Sequence, residues 1–237
     1  MGLIFSCYMI EITPQRFERK YSFSVADLPR FWDWNSSSGV VFEVAYPDRL
    51  INNIYFESPE WNNYHENLGG ISQRCKCRVR WYGDAKSPVD MRFEVKRRWN
   101  SIGDKLVQKI PDNRLALLGK GKGFNDIYRD LREYLDPELR LMLDQSHVPL
   151  LFNNYRRQYY STKDGVRLTV DTNLQFESFG NFLNSDRYKM VRSQVYGFIE
   201  VKYSVDQRSF VEHYLKELPL RATRNSKYVI GIEHLYG

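Results

Sequence analysis

Hydrophobic and polar residues alternate with period two along residues 16–23, 51–58, 74–83, 90–99, 150–161, 165–174 and 195–204, the pattern of strands with one apolar and one polar face. Between them, residues 24–34, 58–70, 123–135 and 136–145 carry apolar residues at helical spacing, with Ser24 placed to cap the first, and Pro59 and Gly69 placed to open and close the second. The faces are informative. In 74–83, Arg74, Lys76, Arg78 and Arg80 share one side, and Cys75, Cys77, Val79 and Trp81 the other. Residues 90–99 set Arg92, Glu94, Lys96 and Arg98 against Met91, Phe93 and Val95; residues 16–23 set Arg16, Glu18 and Lys20 against Phe17 and Tyr21. Tyr155, Arg157 and Tyr159 form a fourth such face, Arg167, Thr169 and Asp171 a fifth, and Glu200 and Lys202 a sixth.

Neighbouring cations on one strand face lie roughly 7 Å apart, which costs about 2 kcal/mol per pair at an effective dielectric near 20. In open water that cost vanishes. An open sheet would leave the charged faces wet, whereas a closed barrel would turn them inward and cover its apolar exterior with helices. The recurrence of interleaved acid and base on nearly every strand favours closure. The expected fold is α+β: a closed antiparallel β-barrel of about eight strands, with a polar, charged lumen and helices packed outside, in a single domain over residues 1–237.

Composition supports a folded domain, with 42% hydrophobic and 15% aromatic residues among 237, and the net charge of +6 calls for an anionic partner. Three cysteines, Cys7, Cys75 and Cys77, leave at least one unpaired and lack the second pair that a zinc site needs, which fits a reducing, cytoplasmic setting. No run of 18 apolar residues predicts a membrane span, and the opening "MGLIFSC" matches a lipidation pattern only at the level of chance. "GKGKG" at 119–123 lacks the spacing and hydroxyl of a phosphate loop and reads as a surface loop. His65, His147, His213 and His234 are scattered, and Trp32, Trp34, Trp61, Trp81 and Trp99 are explained by core packing.

The motifs "FERKY" (17–21), "INNIYFESPEWNNYHENLGG" (51–70), "RCKCRVRWYG" (74–83), "FEVKRR" (93–98), "YRRQYY" (155–160), "VRLTVDTNL" (166–174), "IEVKY" (199–203) and the terminal "RNSKYVIGIEHL" occur in an order that resembles the vacuolar transporter chaperone (VTC) domain. That domain is the polyphosphate polymerase branch of the CYTH-like triphosphate tunnel metalloenzymes. The resemblance runs from about residue 15 to the end of the chain. It implies an eight-stranded tunnel in which Lys20, Arg78, Arg80, Lys96, Arg157 and Arg167 grip phosphates. Tyr155 would add a hydrogen bond, Ser226 and Lys227 would touch phosphate from a C-terminal helix, and Glu200 would hold Mn²⁺ or Mg²⁺. Arg74 and Lys76, in the same row as Arg78 and Arg80, are expected to contact substrate too.

The implied reaction transfers the terminal phosphoryl group of ATP to a growing polyphosphate chain. Phosphoryl transfer asks mainly for positioning and positive charge, so the lack of a Ser, His and Asp constellation is unsurprising. Two alternatives stay open: a metal-dependent tripolyphosphate or nucleoside triphosphate hydrolase, and a non-catalytic polyphosphate or nucleotide binder. Arg16 stands where the hydrolases of the superfamily show a further glutamate, which disfavours a two-metal hydrolase. The phosphate-sensing domain and membrane helices of the eukaryotic subunits are not expected in this chain. Glutamates among the cations would repel a nucleic acid backbone, so nucleic acid is not an expected partner.

Overall fold

A computed structural model describes residues 9–11, 16–85, 87–99, 102–111, 123–180, 191–192, 197–223 and 226–237. The lipidation pattern at 1–7, with Cys7, and most of "GKGKG" lie outside the described residues.

Alternation yields strands where the pattern is strongest. They are β1 (Met9–Glu11), β2 (Arg16–Phe23), β3 (Glu43–Glu57), β4 (Gln73–Tyr82), β5 (Val89–Trp99), β6 (Ile102–Lys109), β7 (Val148–Ser161), β8 (Arg167–Ser178), β9 (Val191–Arg192), β10 (Gly197–Ser204) and β11 (Arg221–Ala222). They join in one antiparallel sheet of order β1-β6-β5-β4-β3-β7-β8-β10-β2-β11, with β9 paired to β8. Strand β7 turns into β8 through a tight hairpin where Gly165 takes φ 86°, a left-handed conformation that glycine adopts without strain. Among the described residues the ladder is an open path. Its curl is nonetheless steep: Lys96 on β5 and Glu18 on β2, six strands apart in the order, come within 3.8 Å. A flat sheet would separate those strands by about 29 Å.

Helices α1 (Leu28–Ser37), α2 (Asn62–Leu68), α3 (Phe124–Tyr134), α4 (Pro137–Gln145), α5 (Arg208–Lys216) and α6 (Lys227–Tyr236) complete the fold. Helices α3 and α4 bury Leu131, Leu139 and Leu143 against the outer residues Cys77, Val79, Trp81, Phe93 and Val95 of β4 and β5. Helices α1 and α5 cover Tyr21, Leu168, Val170, Ile199 and Val201 on the other half of the exterior. Each large apolar side chain so buried contributes about 1.5–3 kcal/mol.

The expectation that all helices pack outside is corrected by α6. It lies on the concave side, where Tyr228, Val229, Ile230 and Ile232 meet Ile51, Tyr55, Leu151, Tyr155, Leu174, Phe176 and Phe198. Gly231 permits the approach, since a Cβ there would sit 2.6 Å from the Phe176 ring and 2.8 Å from Leu151. Two further expectations are corrected in detail. Ser24 caps a short 3-10 turn, Val25–Asp27, that precedes α1. Helix α2 begins at Asn62, after Trp61 in a left-handed conformation, and Pro59 stays outside it.

Candidate functional site: a cationic concave face

Two bulges set which side chains face inward. In β3, Tyr46 pairs with Tyr159 but Arg49 pairs with Arg157, so the extra residue at Pro47–Asp48 places Tyr46 and Arg49 on one face despite their odd separation. In β8, Asn173 at φ 55° absorbs a register shift against β7, so Asp171 points inward before it and Leu174 and Phe176 after it. The polar half of the concave face thereby meets an apolar half on which α6 rests.

Register brings the charges together. Arg78 forks onto Glu94 through Nε and Nη2 at 2.8 and 2.6 Å, and donates from Nη1 to the Tyr55 hydroxyl. Lys105 reaches the other Glu94 oxygen at 2.6 Å. Arg80 donates to Asn53 Oδ1 at 2.8 Å and to the Tyr155 hydroxyl at 3.2 Å. Arg157 forks onto Asp171 at 2.6 and 2.7 Å, and Lys227 Nζ joins the same carboxylate at 2.6 Å. Glu200 is looser: Lys227, Lys20, Arg157 and Lys202 surround it at 3.5–3.9 Å. Glu18 sees Lys20, Lys96 and Lys202 at 3.6–3.8 Å. Lys76 pairs with no carboxylate among the described residues. It donates to Ser226 Oγ at 3.0 Å and lies over the Tyr228 ring.

These environments move the acidities. Burial alone would raise the Glu94 carboxyl, but Arg78, Arg80 and Lys105 hold it far below the usual carboxylate range. Burial likewise opposes ionisation of Glu200, and Lys20, Lys227, Arg157 and Lys202 overcome it. For Lys76 burial is the largest cause, and repulsion from Lys20, Lys96, Arg74 and Arg78 adds to it, so its ammonium pKa falls well below the ordinary value. Lys96 is pushed down to about 8, chiefly by desolvation, with Lys20 and Lys202 opposing the relief from Glu18.

Helix α6 is positioned from behind. Glu57, fully buried, accepts backbone N–H groups of Ser58, Asn63 and Tyr64 at 2.8–3.0 Å and the Tyr228 hydroxyl. Ser226 caps the helix by accepting from the Val229 N–H at 3.2 Å, which fixes its Oγ beside Lys76 and sets Lys227 over the Tyr155 and Phe198 rings.

Of the residues expected from sequence, Lys20, Lys76, Arg78, Arg80, Lys96, Tyr155, Arg157, Glu200, Ser226 and Lys227 converge on this face. Arg74 lies at its end and donates to the Ile71 carbonyl, and Arg167 is exposed at the rim, opposite Lys202 in register. Sequence reasoning missed Lys105, because residues 102–109 alternate weakly and only Leu106 among the described side chains is buried; it also assigned no role to Asp171 or Lys202, and took Glu94, like Glu18, only as an alternative metal ligand to Glu200. The interleaving of acid with base was the signal for those three.

A VTC domain model matches residues 15–236. The chain belongs to the VTC domain family. Among curated proteins none matches. Of solved structures, a Hippeastrum protein described as a candidate adenylyl cyclase with dominant triphosphatase activity aligns over 92% of this chain and 96% of its own at 16% identity and TM-score 0.50, a likeness of fold. Looser likenesses are a candidate adenylate cyclase of Vibrio parahaemolyticus (12% identity, 92% and 99% covered, TM-score 0.46) and the inorganic triphosphatase NE1496 (11%, 93% and 96%, 0.36). These are members of the CYTH-like tunnel class. No helix among the described residues is long and apolar enough to cross a membrane.

A metal fits this VTC face in one manner only. Among the described residues no three carboxylates, histidines or cysteines cluster as a cage. Asp171 and Glu94 are spent on close cation pairs, whereas the Glu200 and Glu18 oxygens keep their cations beyond direct hydrogen-bonding distance. One or two carboxylates completed by substrate phosphates and water is the usual set for Mg²⁺ or Mn²⁺.

Proposed function

We propose that this VTC domain is an ATP-dependent polyphosphate polymerase, which holds its substrate in a closed-barrel tunnel and passes the terminal phosphoryl group of ATP to a polyphosphate chain. The observation that carries the proposal is the charge of the concave face. Nine cations, Lys20, Lys76, Arg78, Arg80, Lys96, Lys105, Arg157, Lys202 and Lys227, face four carboxylates, Glu18, Glu94, Asp171 and Glu200, an excess of five on the scale of a triphosphate.

Arginine forks from β4 and β7 would engage phosphate oxygens in bidentate fashion and hold donor and acceptor phosphates in line. Lys96, Lys76 and Lys227 would supply charge as oxygens gain it in the transition state, with Tyr155 orienting and Arg74 and Arg167 extending contact toward the ends. The acceptor is itself a phosphate, anionic at neutral pH, so no general base is required of the chain. Glu200, with Glu18 beside it, would hold Mn²⁺ or Mg²⁺. That ion, when bound, would neutralise charge between donor phosphates. The unbridged Cys75 and Cys77 suit a cytoplasmic compartment.

The neighbouring carboxylates Glu18 and Glu200 favour a second reading, hydrolysis of a triphosphate with water as acceptor. Incubation with ATP and Mn²⁺, followed in parallel by a chain-length gel and an orthophosphate assay, separates the two. A polymer ladder supports the polymerase; orthophosphate released in step with ATP loss and no ladder supports the hydrolase; no turnover of bound ATP leaves a binder.

A further inference from the structure

Beyond the phosphate-holding cations the concave face changes character. Tyr82 lies two residues past Arg80 on β4, and Tyr159 two past Arg157 on β7, so both stand about 7 Å further along the face. The bulge in β3 brings Arg49 between them: its guanidinium carbon lies 5.3 Å from the Tyr82 ring centre and 5.9 Å from that of Tyr159. Tyr46 meets Tyr159 edge-on at 5.9 Å and is 60% exposed. Arg49 is exposed and forms no ion pair with any described residue. A planar cation backed by two aromatic rings, open to solvent and unclaimed by a carboxylate, is a stacking surface.

We propose that Arg49, Tyr82 and Tyr159 form a platform on which the base of a nucleoside triphosphate stacks while its phosphates lie among Arg78, Arg80 and Arg157. The inference rests on the triphosphate reading above and adds the ligand class that the site prefers. An inorganic polyphosphate has no planar group to place there, whereas a nucleotide whose phosphates reach the arginines carries its base into this region. Stacking on rings and a guanidinium tolerates any base, so ATP and GTP are expected to bind alike.

Calorimetric titration of the full chain with ATP and with tripolyphosphate, at one ionic strength, tests the platform. Tyr159→Leu keeps apolar bulk and removes the ring, and it is expected to weaken ATP binding about tenfold while tripolyphosphate stays within about twofold of the unmodified protein. Arg49→Gln should also weaken ATP more than tripolyphosphate, and retained tripolyphosphate binding shows that each variant is folded. Equal loss for both ligands, or unchanged ATP binding in both variants, overturns the platform and leaves the triphosphate reading intact. Failure of the unmodified protein to bind tripolyphosphate overturns that reading and the platform with it.

Discussion

Triphosphate binding to this face should take up protons and weaken as pH rises through about 8. Lys96 stands among Glu18, Lys20, Lys202 and Glu200, and its pKa in the empty protein is pushed from 10.5 down to about 8. A bound phosphate supplies the missing counter-charge and returns it toward the ordinary value. The complex then holds more protons than the free protein above pH 7, so affinity must fall with rising pH. At pH 7 such a lysine is about nine-tenths protonated and at pH 9 about one-tenth, which makes the fall about tenfold from Lys96 alone, with uptake of about half a proton at pH 8. Lys76, also depressed and paired with no carboxylate among the described residues, adds in the same direction. The slope is read with ATP, whose terminal phosphate is already ionised through most of this range, because tripolyphosphate loses its own last proton within it and would oppose the effect. The empty protein shows the mirror effect: its unfolded chain binds more protons between about pH 8 and 10.5, so its stability rises with pH across that window.

Calorimetry in buffers of differing ionisation enthalpy reads the uptake directly. Lys96→Arg, which cannot lose its proton, should remove its share of the slope, and Lys76→Arg the remainder. Affinity that is flat or rising between pH 7 and 9, or a slope unchanged in both variants, would refute the reasoning.

Three other outcomes are expected. Arg78→Ala combined with Arg80→Ala should weaken tripolyphosphate binding at least a hundredfold, since each hydrogen bond to a charged group contributes about 1.5–3 kcal/mol; unchanged affinity by calorimetry removes β4 from the site. Glu200→Gln should abolish metal-supported turnover while nucleotide binding persists or tightens, and retained turnover in a folded variant would move the metal to Glu18. Tripolyphosphate at a hundredfold excess over Kd adds about 2.7 kcal/mol and should raise Tm by about 5–11 °C, far more than orthophosphate; equal shifts would mean that the cations lie on an open surface.

Much of this arrangement is legible from alternation, because period two is a local property: Cys77, Val79, Phe93 and Val95 are outside, and Arg78, Arg80, Glu94 and Lys96 inside, as their parity demands. What alternation lacks is position along the face. Arg74 and Arg167 share the parity of the central cations yet lie at the ends, and only register tells them apart. Parity itself fails at Asn173 and at Pro47–Asp48, where a bulge shifts the count by one. The seat of α6 is also hidden in sequence. The run "KYVIGIEHLY" is apolar enough to pack on either side of the sheet, and its choice depends on Gly231 meeting Phe176 and on Tyr228 meeting Glu57, contacts between residues far apart in the chain.

The four carboxylates on the concave face divide by distance, and the division separates stability from chemistry. Asp171 and Glu94 hold their cations at 2.6 Å, so each is neutralised by direct hydrogen bonds. Removing Glu94 would take the carboxylate from Arg78, Arg80 and Lys105 together, and removing Asp171 would leave Arg157 and Lys227 only the looser Glu200 at 3.8 and 3.5 Å; losing the partner of a buried pair costs about 3–5 kcal/mol and is felt with or without ligand. Glu200 and Glu18 keep theirs at 3.5–3.9 Å, beyond hydrogen-bonding reach. Their contribution is diffuse, and phosphate oxygens can take over Lys20, Lys96 and Lys202 without breaking a short bond. The close pairs therefore build a rigid cationic wall, and the loose pairs are the part of it that exchanges counter-charge when substrate and metal arrive.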